Sequence, residues 1–275
     1  MGILYLVATP IGNLEDLSPR ALRTLREARL IAAEDTRHTR HLLTHFDIHT
    51  PLTSYYEHNK LSKLDAILAA LAEGDVALVS DAGTPAINDP GYELVVAALG
   101  AGHTVSPIPG PSAPIAAVAA SGLPTDAFLY MGYLPRKSSE RREMLTGLAA
   151  LPYTLIFLET PHRLLDALDD LLAVLGDRPM SAARELTKLH EEIYRATISQ
   201  VRSHFTENEP RGEFTLVVAG KATVEAGPWS EEKLQVSIQQ GLKNDQPAKA
   251  LAAELAKQSG WPRRDIYNLI VNRRS

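Results

Sequence analysis

The stretch VSDAGTPAINDPG, residues 79–91, decides how this chain is read. A short apolar run, VALVS at residues 76–80, ends abruptly in a segment crowded with Gly, Pro, Asp and Asn, the residues that hold tight turns and expose backbone. The run has the character of a buried strand, and the segment behind it that of a loop built at the strand's carboxyl end.

Working outward, residues 1–122 repeat one rhythm. ILYLVAT (3–9) reads as a strand, and SPRALRTLREA (18–28) as a helix with Ser18 at its N-cap and Pro19 in its first turn. LIAAE (30–34) is strand-like, TRHTRHLLTHF (36–46) has helical character, and LSKLDAILAALAEG (61–74) has helical spacing with Gly74 as its stop. YELVVAALGAG (92–102) and HTVSPI (103–108) complete a further helix and strand. Alternating elements with unalternating apolar strands predict a mainly parallel α/β sheet.

After two Pro-bounded turns between Leu123 and Pro135, a plausible hinge, the rhythm restarts. YTLIFLE (153–159), the helical RLLDALDDLLAVLG (163–176), MSAARE (180–185), EEIYRATISQV (191–201) and GEFTLVVAG (212–220) make a second α/β domain. The expected organisation is therefore 1–122, an N-terminal α/β domain, 123–225, a C-terminal α/β domain, and 228–275, a small helical appendage with a helix-turn-helix pattern around Gly260.

The 275 residues are 45% apolar and 22% charged, which excludes a disordered or fibrous chain. With no Cys there is neither a disulfide framework nor a thiolate site, in keeping with a cytoplasmic protein. No run approaches the ~18 apolar residues of a membrane span, and MGILYLVATP lacks the basic start of a signal peptide. A net charge of −5 argues mildly against nucleic acid, but phosphate affinity follows local clusters.

In open parallel sheets, ligands bind beyond the carboxyl ends of the strands, where helix N-termini begin. Four successive strand ends here carry turns or dense polar clusters: TPIGNL (9–14), EDTRHTRH (34–41), DAGTPAINDPG (81–91) and PGPSAPIAA (109–117). Neither GxGxxG nor GxxxxGK[ST] is present, so the dinucleotide fingerprint and the P-loop are unsupported.

LVATPIGNLEDLSPRA (6–21), AAEDTRHTRHLL (32–43), LVSDAGTPAINDPGYELV (78–95), VSPIPGPSAPIAAVAASGLP (105–124), FLETPHRL (157–164) and ARELTKLHEE (183–192) together resemble the small-subunit ribosomal RNA methyltransferase I family of the tetrapyrrole methylase superfamily. The resemblance runs from about residue 4 to 220. It implies two α/β domains of the class III methyltransferase type, S-adenosylmethionine in the cleft between them, and a homodimer. The implied reaction is methylation of a cytidine ribose 2′-hydroxyl in the decoding region of 16S rRNA, with that rRNA or the small ribosomal subunit as partner.

The same resemblance implies a cofactor lining of Asp81, Ala82, Gly83 and Thr84, with Pro109, Ser112 and Ala113 beside them and Glu159 from the second domain. A cationic sulfonium favours the carboxylates Asp81 and Glu159, although Asp81 also suits an Asx-type turn. A ribose hydroxyl needs a proton acceptor or a cation for the developing alkoxide. Asp35 is the first candidate base, with helix capping as its alternative role; Lys188 is the second, as a base, an alkoxide partner or a plain surface lysine.

Arg37, His38, Arg40, His41 and Arg163 are candidate RNA contacts, as are the basic runs RKSSERR (136–142) and PRRDIYNLIVNRR (262–274). The helical tail reads equally as a packed cap or a dimer contact. The His spacing offers no metal site. Rival readings are a small-molecule methyltransferase of the same fold and a non-catalytic RNA-binding assembly factor.

Overall fold

The computed structural model describes residues 2–222, 229–244 and 246–272. The first sheet contains β1 (Ile3–Val7), β2 (Leu30–Ala33), β3 (Leu52–Ser54), β4 (Val76–Val79) and β5 (Thr104–Ile108) in the order β3-β2-β4-β1-β5. Every pairing is parallel, as the unalternating apolar strands predict. The crossovers are α1 (Pro19–Glu27), α2 (Thr36–His45), α3 (Lys60–Glu73) and α4 (Tyr92–Gly100). Ser18 caps α1 by accepting the Ala21 N–H at 3.1 Å, with Pro19 at the first position.

Both faces of this sheet are covered, which is why its strands are apolar throughout. Val7, Ala77 and Val79 point to the face where Leu25 and Leu43 of α1 and α2 pack. Leu4, Val76 and Leu78 point to the other, against Ile67, Leu71 and Leu94 of α3 and α4. The period of two along each strand thus feeds two separate cores.

α5 (Ala113–Ala120) leads to the second sheet, formed by β6 (Phe128–Tyr133), β7 (Thr154–Glu159), β8 (Pro179–Arg184), β9 (Glu192–Thr197) and β10 (Phe214–Val218) in the order β6-β7-β10-β8-β9. Only β6 and β7 pair in parallel; β10 enters antiparallel between β7 and β8, and β9 is antiparallel to β8. α6 (Ser138–Leu148), α7 (Leu164–Leu175) and α8 (Ile198–Glu207) are its helices. EEIYRATISQV therefore splits, with Thr197 and Gln200 forming a capping box that starts α8. Leu168, Leu171, Val201 and Phe205 fill one face of the sheet, whereas Ala117 and Val118 of α5 cover Ile156 and Val217 on the other.

The basic run at residues 136–142 plays a structural part that its charge alone does not disclose. Arg141 is 3% exposed and Asp170 2%, and their ion pair closes at 2.5 Å. Ser138 and Arg142 donate to the same carboxylate, at 2.9 Å and 2.5 Å, so Arg141 is withdrawn from any phosphate. Burial disfavours the Asp170 charge, but these donors outweigh it and hold the carboxyl below its ordinary value.

Met1–Lys221 form one compact unit and Ala222–Ser275 another. The second contains α9 (Glu231–Lys243), α10 (Ala248–Ser259) and α11 (Arg263–Asn272) around Leu234, Leu251, Leu255 and Ile266. Gly260, with φ 68°, turns the chain between α10 and α11, and Arg263 and Arg264 open α11 on its exposed side. Arg273 and Arg274 lie outside the described residues.

Replacing Asp170 leaves the Arg141 guanidinium buried without its partner, which costs about 3–5 kcal/mol. Urea denaturation of Asp170→Ala is expected to show that loss, against under about 1 kcal/mol for Asp169→Ala, whose partner Arg202 is half exposed.

Candidate active site

The loops after β1, β4 and β5 meet at one rim of the first sheet. Thr9 and Gly83 exchange both backbone hydrogen bonds, Thr9 N–H to the Gly83 carbonyl at 2.9 Å and Gly83 N–H to the Thr9 carbonyl at 3.0 Å. Gly83 holds φ 81°, a left-handed conformation that a side chain would strain. The Thr9 hydroxyl donates to the Ser80 carbonyl at 3.1 Å, and the Thr84 hydroxyl to the Pro111 carbonyl at 3.3 Å, so the third loop is tied to the same knot.

Against this rim the second sheet brings β6 and the 183–188 loop, enclosing a cavity of about 260 Å³. Asp81, Ala82, Thr84, Ser112, Ala113 and Lys188 all line it. Of the other expected cofactor residues, Gly83 is buried in the knot and Pro109 is exposed outside the lining. Glu159 is also absent from the wall: it is 1% exposed, accepts the Thr160 N–H at 2.8 Å and pairs with Arg163 at 3.1 Å. Burial raises its carboxyl above the ordinary value despite Thr160 and Arg163.

Strained backbone concentrates on the two loops that face each other. Ala86 and Asn88 take φ 68° and 62°, and Glu185 and Thr187 take 51° and 66°. Such residues cost on the order of 1–3 kcal/mol each and persist where surrounding packing over-determines them. Gly12 lets the loop after β1 approach the 183–188 loop: a Cβ there would stand 2.4 Å from Cγ of Lys188.

Several lining residues escape the sequence reading. Glu34 and Asp89 join Asp81 on one wall, Glu185 and Glu213 flank Lys188 on another, and Tyr130 and Tyr133 face them from β6. Burial, then the Glu34 and Asp81 charges, push the Asp89 carboxyl up to about 6 although Ser80 hydrogen-bonds to it. Burial and the neighbouring Asp81 likewise raise Glu34. Burial and Asp89 push Tyr130 up to about 12, so its hydroxyl stays a donor. Burial opposes the charge of Lys188, but ion pairs at 2.8 Å to Glu185 and 3.4 Å to Glu213 outweigh it and keep the ammonium charged. A signal for Asp89 exists in the chain, as the Asp of NDPG, but there it reads as a turn residue.

Asp35 lies beside this cavity rather than in it. Its carboxylate accepts the Arg37 N–H at 2.8 Å as the cap of α2 and pairs with the Arg37 guanidinium at 2.7 Å. Those hydrogen bonds hold it far below the usual carboxylate range. Its own N–H donates to Asp81 at 3.0 Å and so positions that side chain. Arg37 and His38 are exposed on α2. Arg163 binds the Pro135 carbonyl at 3.2 Å as well as Glu159, bracing the turn that follows β6. Among the described residues no three His, Cys, Asp or Glu side chains converge as metal ligands.

Because the folded state holds the Asp89 proton up to about pH 6 while an ordinary Asp releases it near 3.8, stability from this group falls as pH rises through that interval. The melting temperature of Asp89→Asn should match wild type at about pH 4 and exceed it by a few degrees above pH ~7, measured by circular dichroism.

Comparison with known proteins accords with this architecture. Residues 3–202 match the family described as Tetrapyrrole (Corrin/Porphyrin) Methylases. A protein of Synechocystis sp. named ribosomal RNA small subunit methyltransferase I is 49% identical over 98% of this chain and 97% of its own length. One of the same name from Halalkalibacterium halodurans is 49% identical over 98% and 94%. Among solved structures, uroporphyrin III C-methyltransferase of Thermus thermophilus superposes with TM-score 0.56 at 22% identity over 79% of this chain and 97% of that one. Another structure of a Thermus thermophilus uroporphyrin-III C-methyltransferase is complexed with S-adenyl homocysteine; it is 22% identical, with TM-score 0.54 over 79% of this chain and 97% of that one. The chain belongs to the tetrapyrrole methylase family and, within it, to the group named ribosomal RNA small subunit methyltransferase I.

Proposed function

We propose that the protein uses S-adenosylmethionine to methylate the ribose 2′-hydroxyl of a cytidine in the decoding region of 16S rRNA. The observation that carries this reading is the near full-length likeness to relatives bearing the rRNA methyltransferase name, together with a cavity lined by the strand-end loops that carry the sequence resemblance. The cavity suits the cofactor. Glu34, Asp81 and Asp89 present carboxylates to a sulfonium cation. At about 260 Å³ the cavity is just under the ~300–1,000 Å³ of small-ligand pockets, and its open mouth would take the remainder of the cofactor.

When bound, S-adenosylmethionine supplies an activated methyl group, leaving the protein to align the acceptor and handle its proton. Asp89, poised at about 6 on the cavity wall, is the carboxylate best matched to accept the hydroxyl proton near neutral pH. Lys188 remains an ammonium and steadies negative charge on the acceptor oxygen. Asp35, held far below the usual range by Arg37, is a weaker proton acceptor and is assigned to orienting α2 and Asp81.

The exposed Arg37, His38, Arg40 and His41 of α2 form the RNA-facing surface, an arrangement a small-molecule methylase would not need. A homodimer is supported by Tyr92, Val96 and Leu99, an exposed apolar stripe on α4 with 70%, 50% and 57% exposure. No helix among the described residues is long and apolar enough to cross a membrane; the proposed substrate supports a cytoplasmic location.

Tritium transfer from labelled S-adenosylmethionine to 30S subunits and to naked 16S rRNA, followed by alkaline hydrolysis, tests the reading: label in an alkali-resistant dinucleotide is the expected product, and no transfer to either would overturn it. In the same assay kcat should rise with pH to a plateau above about 6. Asp89→Asn and Lys188→Met should each lower kcat by roughly 10²-fold, the former also flattening the acid limb. Arg37→Ala combined with Arg40→Ala should raise KM for the subunit and reduce its salt dependence by about two phosphate contacts, leaving cofactor affinity unchanged.

A further inference from the structure

Beside the cofactor cavity lies a second one of about 340 Å³ between the loop after β1 and helix α2. Resting on the function proposed above, we propose that this second cavity receives one unstacked nucleoside of the substrate RNA, apart from the cofactor.

Four observations converge on that occupant. First, Thr39, which lines the cavity, is 2% exposed, and its hydroxyl has no hydrogen-bond partner among the described residues. A buried hydroxyl left unpaired is costly, and a ligand offering a donor or acceptor relieves it. Its backbone N–H is already bound to the Asp35 carbonyl at 3.0 Å, so the orphan is the side chain alone. Second, Pro10, Leu14 and Leu42 supply apolar walls, with Leu14 39% exposed at the edge, and the His38 and His41 imidazoles share the lining. Flat apolar surfaces with imidazoles beside them suit the faces of a nucleobase.

Third, the charge differs between the two cavities. The first collects Glu34, Asp81, Asp89, Glu185 and Glu213, which favours a cation and repels phosphate; the second, among the described residues, has Asp81 as its one carboxylate. A neutral nucleoside is admitted by the second and a sulfonium by the first. Fourth, the cavities adjoin through a shared residue at each end. Asp81 borders both, which sets a ribose in the second cavity against the wall of the first. His41 also borders the groove formed with Arg37, Arg40 and His45, where the flanking phosphates would lie. A duplex cannot enter a space of this size, so the nucleoside must leave its stack, as in other enzymes that act on single nucleotides.

The test uses full-length protein saturated with S-adenosylmethionine and a short single-stranded RNA bearing one cytidine, with the same RNA lacking that base as control. The His38 and His41 imidazole resonances should shift further with the first RNA than with the abasic one, which keeps only the phosphate contacts, and that excess should vanish in Leu14→Trp, which fills the cavity from its rim. With 30S subunits, kcat/KM should fall by at least about tenfold in Leu14→Trp and about fivefold in the isosteric Thr39→Val, while cofactor affinity by calorimetry stays within about twofold. Equal shifts with the abasic RNA would reduce the site to a phosphate contact and overturn the proposal. Unchanged kcat/KM in Thr39→Val and in Leu14→Trp, with normal methylation by wild type, would overturn the nucleoside pocket and leave the function standing. No methylation by wild type would instead remove the function on which it rests.

Discussion

The reciprocal pair of hydrogen bonds between Thr9 and Gly83 is the constraint from which the site follows. Two loops leaving parallel neighbours β1 and β4 have no ladder to hold them, so their backbone groups need partners once the second sheet covers them. One antiparallel bridge supplies those partners and turns two loops into a single rigid lip. Thr84 then fastens the loop after β5 to the lip through Pro111, and the strained Ala86 and Asn88 become sustainable because both ends of their segment are fixed.

Much of the first sheet could be read from residue order. VALV is buried at every position because helices cover both of its faces, and an unalternating apolar run reports that arrangement directly. The Gly and Pro turns at the strand ends likewise announced the rim. The second sheet was less open to reading, since β10 inserts between β7 and β8, and no local pattern encodes which distant strand will become a neighbour. Side-chain destinations suffered for the same reason. Glu159 sits at the strand end expected to line the cofactor, yet Arg163 and the Thr160 N–H draw it into the protein. Arg141 looks like a phosphate ligand until Asp170, far along the chain, claims it.

Asp89 illustrates how electrostatics arises from assembly. In NDPG it is a turn former, and only when β6 lays Tyr130 and Tyr133 over the same cavity does it lose water while facing Glu34 and Asp81. The opposite wall behaves in reverse: Lys188 is partly buried too, but Glu185 and Glu213 keep it charged. One cavity thus carries a carboxyl tuned toward neutrality and an ammonium fixed as a cation, the separation that acid–base chemistry on a poor nucleophile requires.

The central place of β10 in the second sheet also sets a schedule for biosynthesis. β7 and β8 each pair with β10 and with one outer strand, so neither half of that sheet joins the other until Phe214–Val218 have been made. The first sheet has all five strands by Ile108 and closes from contacts nearer in sequence. A nascent chain therefore carries a finished lobe followed by about a hundred residues whose sheet is still in two separate halves, with apolar faces open to water, the stage at which such a chain is most exposed to misassociation and to chaperones.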